Sequence, residues 1–139
     1  MFLTQPDYSA VTDAVTLDVI QQSDEETRQK AEKYAIEEIS SYLRNRFDVS
    51  TAFAATAENR NAWLVMITCD ITLYNLIAWL PKKMGFEIRE TRYKSAISGL
   101  KDVQSGKASP ELPPLTDSTG TDIGSDIKYG SLPKQRNDW

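Results

Sequence analysis

A chain of 139 residues has room for one modest hydrophobic core, and its 20 acidic and 16 basic side chains leave a net charge of −4. That balance lacks the polybasic character that replaces counterions on nucleic acid or gathers at an anionic membrane, and the sequence contains no histidine, so the commonest general base and the commonest metal ligand are missing together. The one cysteine, Cys69, has no intramolecular disulfide partner and lies inside an apolar run, which fits a reducing compartment. The opening MFLTQPDYS has neither a basic region nor a long apolar stretch, so no secretory signal is expected.

The first predicted helix covers roughly residues 7–22, with Val11, Val15, Val19 and Ile20 facing inward, although β-branched residues make it a mediocre helix former. Ser23 offers an N-cap, and Ser23-Asp24-Glu25-Glu26 reads as a capping box with acids in the first turn. A second helix is therefore predicted from about Asp24 to Arg46. Ala31, Tyr34, Ala35, Ile39, Tyr42, Leu43 and Phe47 repeat at the spacing of one buried stripe, opposite a charged face carrying Glu25, Arg28, Lys33, Glu37 and Arg44. DVSTAFAATAENRN then reads as a loop, after which Asn59 or Asn61 caps a third helix over Ala62–Leu80 that Pro81 ends. PKKMG turns the chain into a fourth helix, Glu87–Gln104, with Ile88, Tyr93, Ile97, Leu100 and Val103 inward and Gly106 as its stop.

Short connections favour antiparallel neighbours, so the third and fourth helices should form a hairpin. The expected fold class is all-α: a four-helix domain over residues 1–106 followed by an extended tail over 107–139. The tail is rich in Pro, Gly, Ser, Thr and Asp, shows no helical period and should not pack as a domain of its own. Its apolar residues Ile123, Ile127, Tyr129, Leu132 and Trp139 read as anchors for a partner, since Trp and Tyr are enriched at binding hot spots. DIKYGSL in that tail also suits strand addition to a sheet edge.

ITCDITLYNLIAWL, residues 67–80, is the most apolar stretch, but at 14 residues with an aspartate inside it falls short of the roughly 20 needed to span a bilayer. Asp70 lies about 200° round the helix from Thr68, among Trp63, Met66, Ile67, Leu73, Tyr74 and Ile77, and an unpaired buried carboxylate is costly. Arg92 is one candidate partner; Arg44 or Arg46 and the hydroxyls of Tyr93 or Tyr42 are others. The expected role for Asp70 and Arg92 is a structural polar node that fixes helix register, because a general base would need a nucleophile and a second acid that the sequence does not offer. No catalytic, cofactor or metal site is assigned, and no enzymatic activity is expected. DEETRQKAEK lacks the spacing and glycine of a calcium loop, LPKKMGFEIR reads as an exposed turn, and TGTDIGSD lacks the strand and lysine of a phosphate loop. The third helix is apolar round most of its circumference, which suggests that another subunit covers part of it.

FLT at the start, AIEEISSYLRNRFD, ITCDITLYNL and RYKSAISGLKDVQSGKAS together resemble the Mu-like prophage connector type among the head–tail connector (adaptor, neck) proteins of tailed bacteriophages. The resemblance covers about residues 2–109, and the 48–60 loop and the 107–139 extension depart from it. It implies a subunit of a homo-oligomeric ring, commonly twelvefold, between the portal protein and the next tail or neck component. DNA would pass through its channel without specific binding and no membrane would be involved. The location implied is the neck of the virion, with the host cytoplasm during assembly. A small helical regulator or adaptor that binds a single protein is the alternative.

Overall fold

The computed structural model describes residues 1–12, 18, 24–77 and 86–116. These form five α-helices and no strand longer than an isolated bridge: α1 (Gln5–Ser9), α2 (Glu25–Leu43), α3 (Val49–Ala54), α4 (Ala62–Ile77) and α5 (Phe86–Ser105). Most of the first predicted helix lies outside the described residues, although Asp7 and Tyr8 fall within α1 and Val11 is half-buried behind it. The second helix begins with Asp24 as its N-cap residue, without a side-chain cap bond, and Ser23, from which a capping box was expected, lies outside the described residues.

The organising element is α4. Leu64, Ile67, Cys69, Ile71, Leu73 and Leu76 are all but sealed from solvent, and so are Thr68 and Thr72. The Thr68 hydroxyl donates to the Leu64 carbonyl one turn earlier, at 2.6 Å, whereas the Thr72 hydroxyl has no hydrogen-bond partner. Three flanks enclose α4. On one side α2 packs antiparallel, and Asn75 Nδ2 donates to the Ala31 carbonyl at 3.3 Å. On a second side lies α5, so the two form the predicted hairpin. The third side is closed by the N-terminal arm, whose Phe2, Leu3 and Tyr8 are buried and whose α1 touches α4. The arm thus covers part of the helix that α2 and α5 leave open, while Met66 stays 41% exposed. Seven residues ahead of the bundle supply the missing wall.

Two stripe assignments also change. Ala31, Ala35, Ile39 and Leu43 do face the core, but Tyr34 is 58% exposed while Glu32 is buried. In α5, Ile88 is 62% exposed while Arg89 is buried. Ile88 and Arg89 are neighbours 100° apart, whereas Glu32 and Tyr34 lie about 200° apart, on opposite sides of α2. In each pair the residue that finds a backbone partner lies inside, whatever its hydropathy.

The 48–60 segment is not a plain loop. Asp48 caps α3, accepting from the Thr51 N–H at 3.1 Å and the Thr51 hydroxyl at 2.6 Å. These bonds hold the Asp48 carboxyl below the usual carboxylate range. A 3-10 turn, Ala57–Asn59, follows, opened by Ala57 in the left-handed region at φ 51°. Asn61 then caps α4, its Oδ1 accepting from the Leu64 N–H at 3.0 Å.

Beyond α5 the chain turns back along the bundle. Gly106, at φ 84°, supplies the left-handed stop, and the Asp102 carbonyl accepts from Lys107 and Ala108 at 2.8 and 3.2 Å. Residues 107–116 then form a strap. Asn61 Nδ2 donates to the Glu111 carbonyl at 3.0 Å, Asp48 N to the Pro113 carbonyl at 2.9 Å, and Leu115 N to the Arg46 carbonyl at 3.3 Å. Phe47 and Pro114 pair as an isolated antiparallel bridge, and Leu112 packs on the core. No described helix is long and apolar enough to cross a membrane.

If the arm is a structural wall, truncating it must cost as much as a core mutation. Leu3→Ala is expected to destabilise the fold by about 2–4 kcal/mol, the range for a buried Leu→Ala change. Urea denaturation measures it, and a loss under about 1 kcal/mol would show that the arm is dispensable.

Candidate functional site

Three clusters of buried or half-buried charged groups join segments distant in sequence, and buried Arg89 separately donates from Nη2 to the Val11 carbonyl at 3.1 Å. The first is Asp70 with Arg92. Arg92 Nε donates to Asp70 Oδ1 at 2.6 Å and Nη2 to Oδ2 at 3.2 Å, a two-pronged ion pair across the α4–α5 hairpin. The partners differ in setting, since the Asp70 side chain is 5% exposed and that of Arg92 37%. Burial pushes the Asp70 carboxyl up, and the Arg92 bonds and charge only partly offset this. Arg44 does not reach Asp70: it pairs with Glu37 on the surface at 2.9 Å. Arg46 Nη1 instead donates to the Val103 carbonyl. Tyr93 stacks on Tyr74 with ring centroids 4.1 Å apart and donates its hydroxyl to Glu38 at 2.6 Å, tying α5 to α2.

The second cluster holds the N-terminal arm from outside. Arg60 Nη1 and Nη2 bond Asp7 Oδ2 and Oδ1 at 2.6 and 3.1 Å, and Nη1 also donates to the Phe2 carbonyl at 2.9 Å. The Asp7 carboxylate also accepts from the Thr4 N–H and hydroxyl, at 2.6 and 2.9 Å, which closes a capping box at α1. Burial pushes the Asp7 carboxyl up, but the bonds from Arg60 and Thr4 outweigh it and leave it below its ordinary range.

The third cluster is Glu32, buried on α2. Its Oε1 accepts from the backbone N–H groups of Phe2 and Leu3 at 2.9 and 3.0 Å. Burial nevertheless raises its carboxyl above the usual value, with the two N–H bonds opposing. Nearby, burial lifts the Tyr8 phenol well above its ordinary range and pushes the Cys69 thiol up to about 12. A thiol held neutral in this way is a poor nucleophile.

Every one of these clusters fastens backbone to backbone. None presents its carboxylate to a cleft beside a nucleophile. Two open clefts flank the 107–116 strap, and Arg60 lines one of them. One, of about 510 Å³, lies between α3, the 3-10 turn and residues 111–113; the other, of about 370 Å³, lies between Trp63, Gly99, Asp102 and residues 108–111. Among the described residues no group of three or more His, Cys, Asp or Glu side chains is placed to hold a metal ion. The predicted tail anchors Ile123, Ile127, Tyr129, Leu132 and Trp139 lie outside the described residues.

Sequence reasoning missed Asp7, Glu32 and Arg60. For Asp7 the signal was there, since Thr4-x-x-Asp7 has the spacing of a capping box. Glu32 and Arg60 carried no local signal, because their partners are 30 and 53 positions away.

Taken together, fold and site define a small all-α protein whose buried charges are fasteners. The chain belongs to the family described as Bacteriophage Mu, Gp36, which it matches over residues 2–125. It is thus a phage protein, and the match takes in the strap and continues past it. No curated protein and no solved structure matches the chain.

The unequal exposure of the ion pair predicts an asymmetry. Arg92→Met strands a buried carboxylate and is expected to cost about 2–3 kcal/mol, below the full penalty for a buried pair because Arg92 is partly solvated. Asp70→Asn leaves a guanidinium that can reach water and should cost about 1 kcal/mol. Denaturation at neutral pH ranks the two; the reverse order would refute the assignment.

Glu32 predicts a pH effect. Its folded pKa lies above the ordinary 4.5, so its protonation favours the fold. That contribution is fully present below the unfolded pKa and is lost as pH rises through the raised folded value. Glu32→Gln keeps an oxygen for the two N–H groups and removes the titration. Between neutral pH and about 4.5 the wild type should gain stability relative to Glu32→Gln in denaturation curves, and parallel curves would contradict the raised pKa.

Proposed function

We propose that this protein is a non-enzymatic structural subunit of the virion: one member of a ring, dodecameric in this reading, that joins the portal vertex to the tail and extends the DNA channel. Membership of the Mu Gp36 family across residues 2–125 carries this reading. Three physical features support it. The buried ionisable groups are engaged in holding segments together, as suits a part that bears load rather than turns over substrate. A net charge of −4 disfavours adhesion of a phosphate backbone, so DNA would slide through such a ring without sticking. The tail residues Ile123, Ile127, Tyr129, Leu132 and Trp139 would dock on a neighbouring component, with the binding energy ordering them.

Ring closure by head-to-tail contacts uses two different patches on each subunit. Many weak copies acting together would then give firm attachment to the portal and to the next tail component. Electron microscopy of purified tailed particles carrying an epitope-tagged chain tests this. The expected result is label confined to the neck, with rotationally symmetric density. Absence from mature particles, or a discrete one-to-one complex with a single protein, would favour the small adaptor alternative.

A further inference from the structure

The 370 Å³ cleft beside the strap is lined by Trp63 of α4, by Gly99, Asp102 and Val103 of α5, and by residues 108–111. Its walls are of two kinds. The half-buried Trp63 ring and the sealed Val103 side chain give it an apolar part, while Asp102 and Glu111 bring two carboxylates and no cation lines it. Among the described residues neither carboxylate is engaged. The hydrogen bonds at these positions run to the backbone carbonyls, that of Asp102 accepting from Lys107, Ala108 and Ser105 and that of Glu111 from Asn61. Two further features need a reason. Asp102 stands in the last turn of α5, where the helix dipole opposes negative charge, and that turn carries no basic side chain. Gly99 sits inside the same helix, where glycine is less favourable than alanine, yet a Cβ there would stand 3.9 Å from the Trp63 ring, an ordinary contact. Internal packing does not demand the glycine. What it preserves is room beside the indole.

We infer that this cleft receives an arginine side chain carried by an extended segment of a partner protein. Charge selects a cation: two disengaged carboxylates and a helix C-terminus add their negative potential at one place, and a positive group relieves it. The indole selects the kind of cation. A guanidinium is planar and weakly hydrated, packs against a tryptophan ring and can fork onto carboxylates, whereas an ammonium supplies the charge without the plane or the fork. Size selects a side chain over a folded element, since 370 Å³ lies near the small end of the ~300–1,000 Å³ range of ligand pockets. Arg92 and Arg60, the arginines of the hairpin and of the neighbouring cleft, are already committed to Asp70 and Asp7. The inference goes beyond the ring reading and holds equally if the partner is a single protein.

The test uses the full chain labelled with fluorotryptophan, the Trp63 signal being assigned by its loss in Trp63→Phe. The probe is a short acetylated Gly/Ser peptide with one central arginine, titrated in while fluorine NMR is recorded. The peptide should shift the Trp63 signal saturably, and the same peptide with citrulline, which keeps the shape and loses the charge, should not. Neutralising both carboxylates, Asp102→Asn with Glu111→Gln, should weaken binding about fivefold, as for partly solvated ion pairs. Gly99→Leu should abolish it by filling the space beside the ring; if that variant fails to fold, the carboxylate variant, which alters no volume, decides alone. An unmoved Trp63 signal, an equal response to the citrulline peptide, or unchanged affinity in the carboxylate variant would each overturn the inference. So would a Trp63 signal that moves, with no peptide present, when Lys128, Lys134 and Arg136 are changed to glutamine, because the chain's own C-terminal segment would then be the occupant.

Discussion

An almost wholly apolar helix must be surrounded, and the arrangement of this protein follows from how α4 is enclosed. The two long helices α2 and α5 leave part of its surface uncovered. Much of that part is closed by the N-terminal arm, too short at five helical residues to be stable by itself. It is held by what it buries and by the two polar clamps that receive it.

Those clamps explain why charged residues occur inside so small a core. A lone buried carboxylate is expensive, so each is matched to donors that the fold must bring from elsewhere. Glu32 takes the N–H groups of Phe2 and Leu3, Arg60 takes Asp7 and the Phe2 carbonyl, and Arg92 takes Asp70. Each pairing joins distant stretches of chain, and each penalises a register in which its partner is misplaced. The same logic runs through the strap, where the side chain of Asn61 and the backbone at 46–48 fix residues 111–115 by hydrogen bonds with little apolar burial.

The enclosure bears on assembly. Exposed large apolar side chains among the described residues are confined to Met1, Tyr34, Met66 and Ile88, which form no broad greasy face on the described surface. Contacts between copies would have to be narrow and specific and made many times over.

The sequence by itself determined the all-α class, the hairpin of the two last helices and the core stripe of Ala31, Ala35, Ile39 and Leu43, and it narrowed the cap of α4 to Asn59 or Asn61. These are read within a few turns of chain, where helical geometry fixes which side chains share a face. Only the tertiary structure decided that Glu32 and Arg89 lie inside while Tyr34 and Ile88 lie outside. It also decided that residues 49–54 coil into a helix, that the arm walls α4, and that Arg92 rather than Arg44 or Arg46 meets Asp70. Those outcomes depend on contacts between residues tens of positions apart, and local periodicity carries no information about such partners.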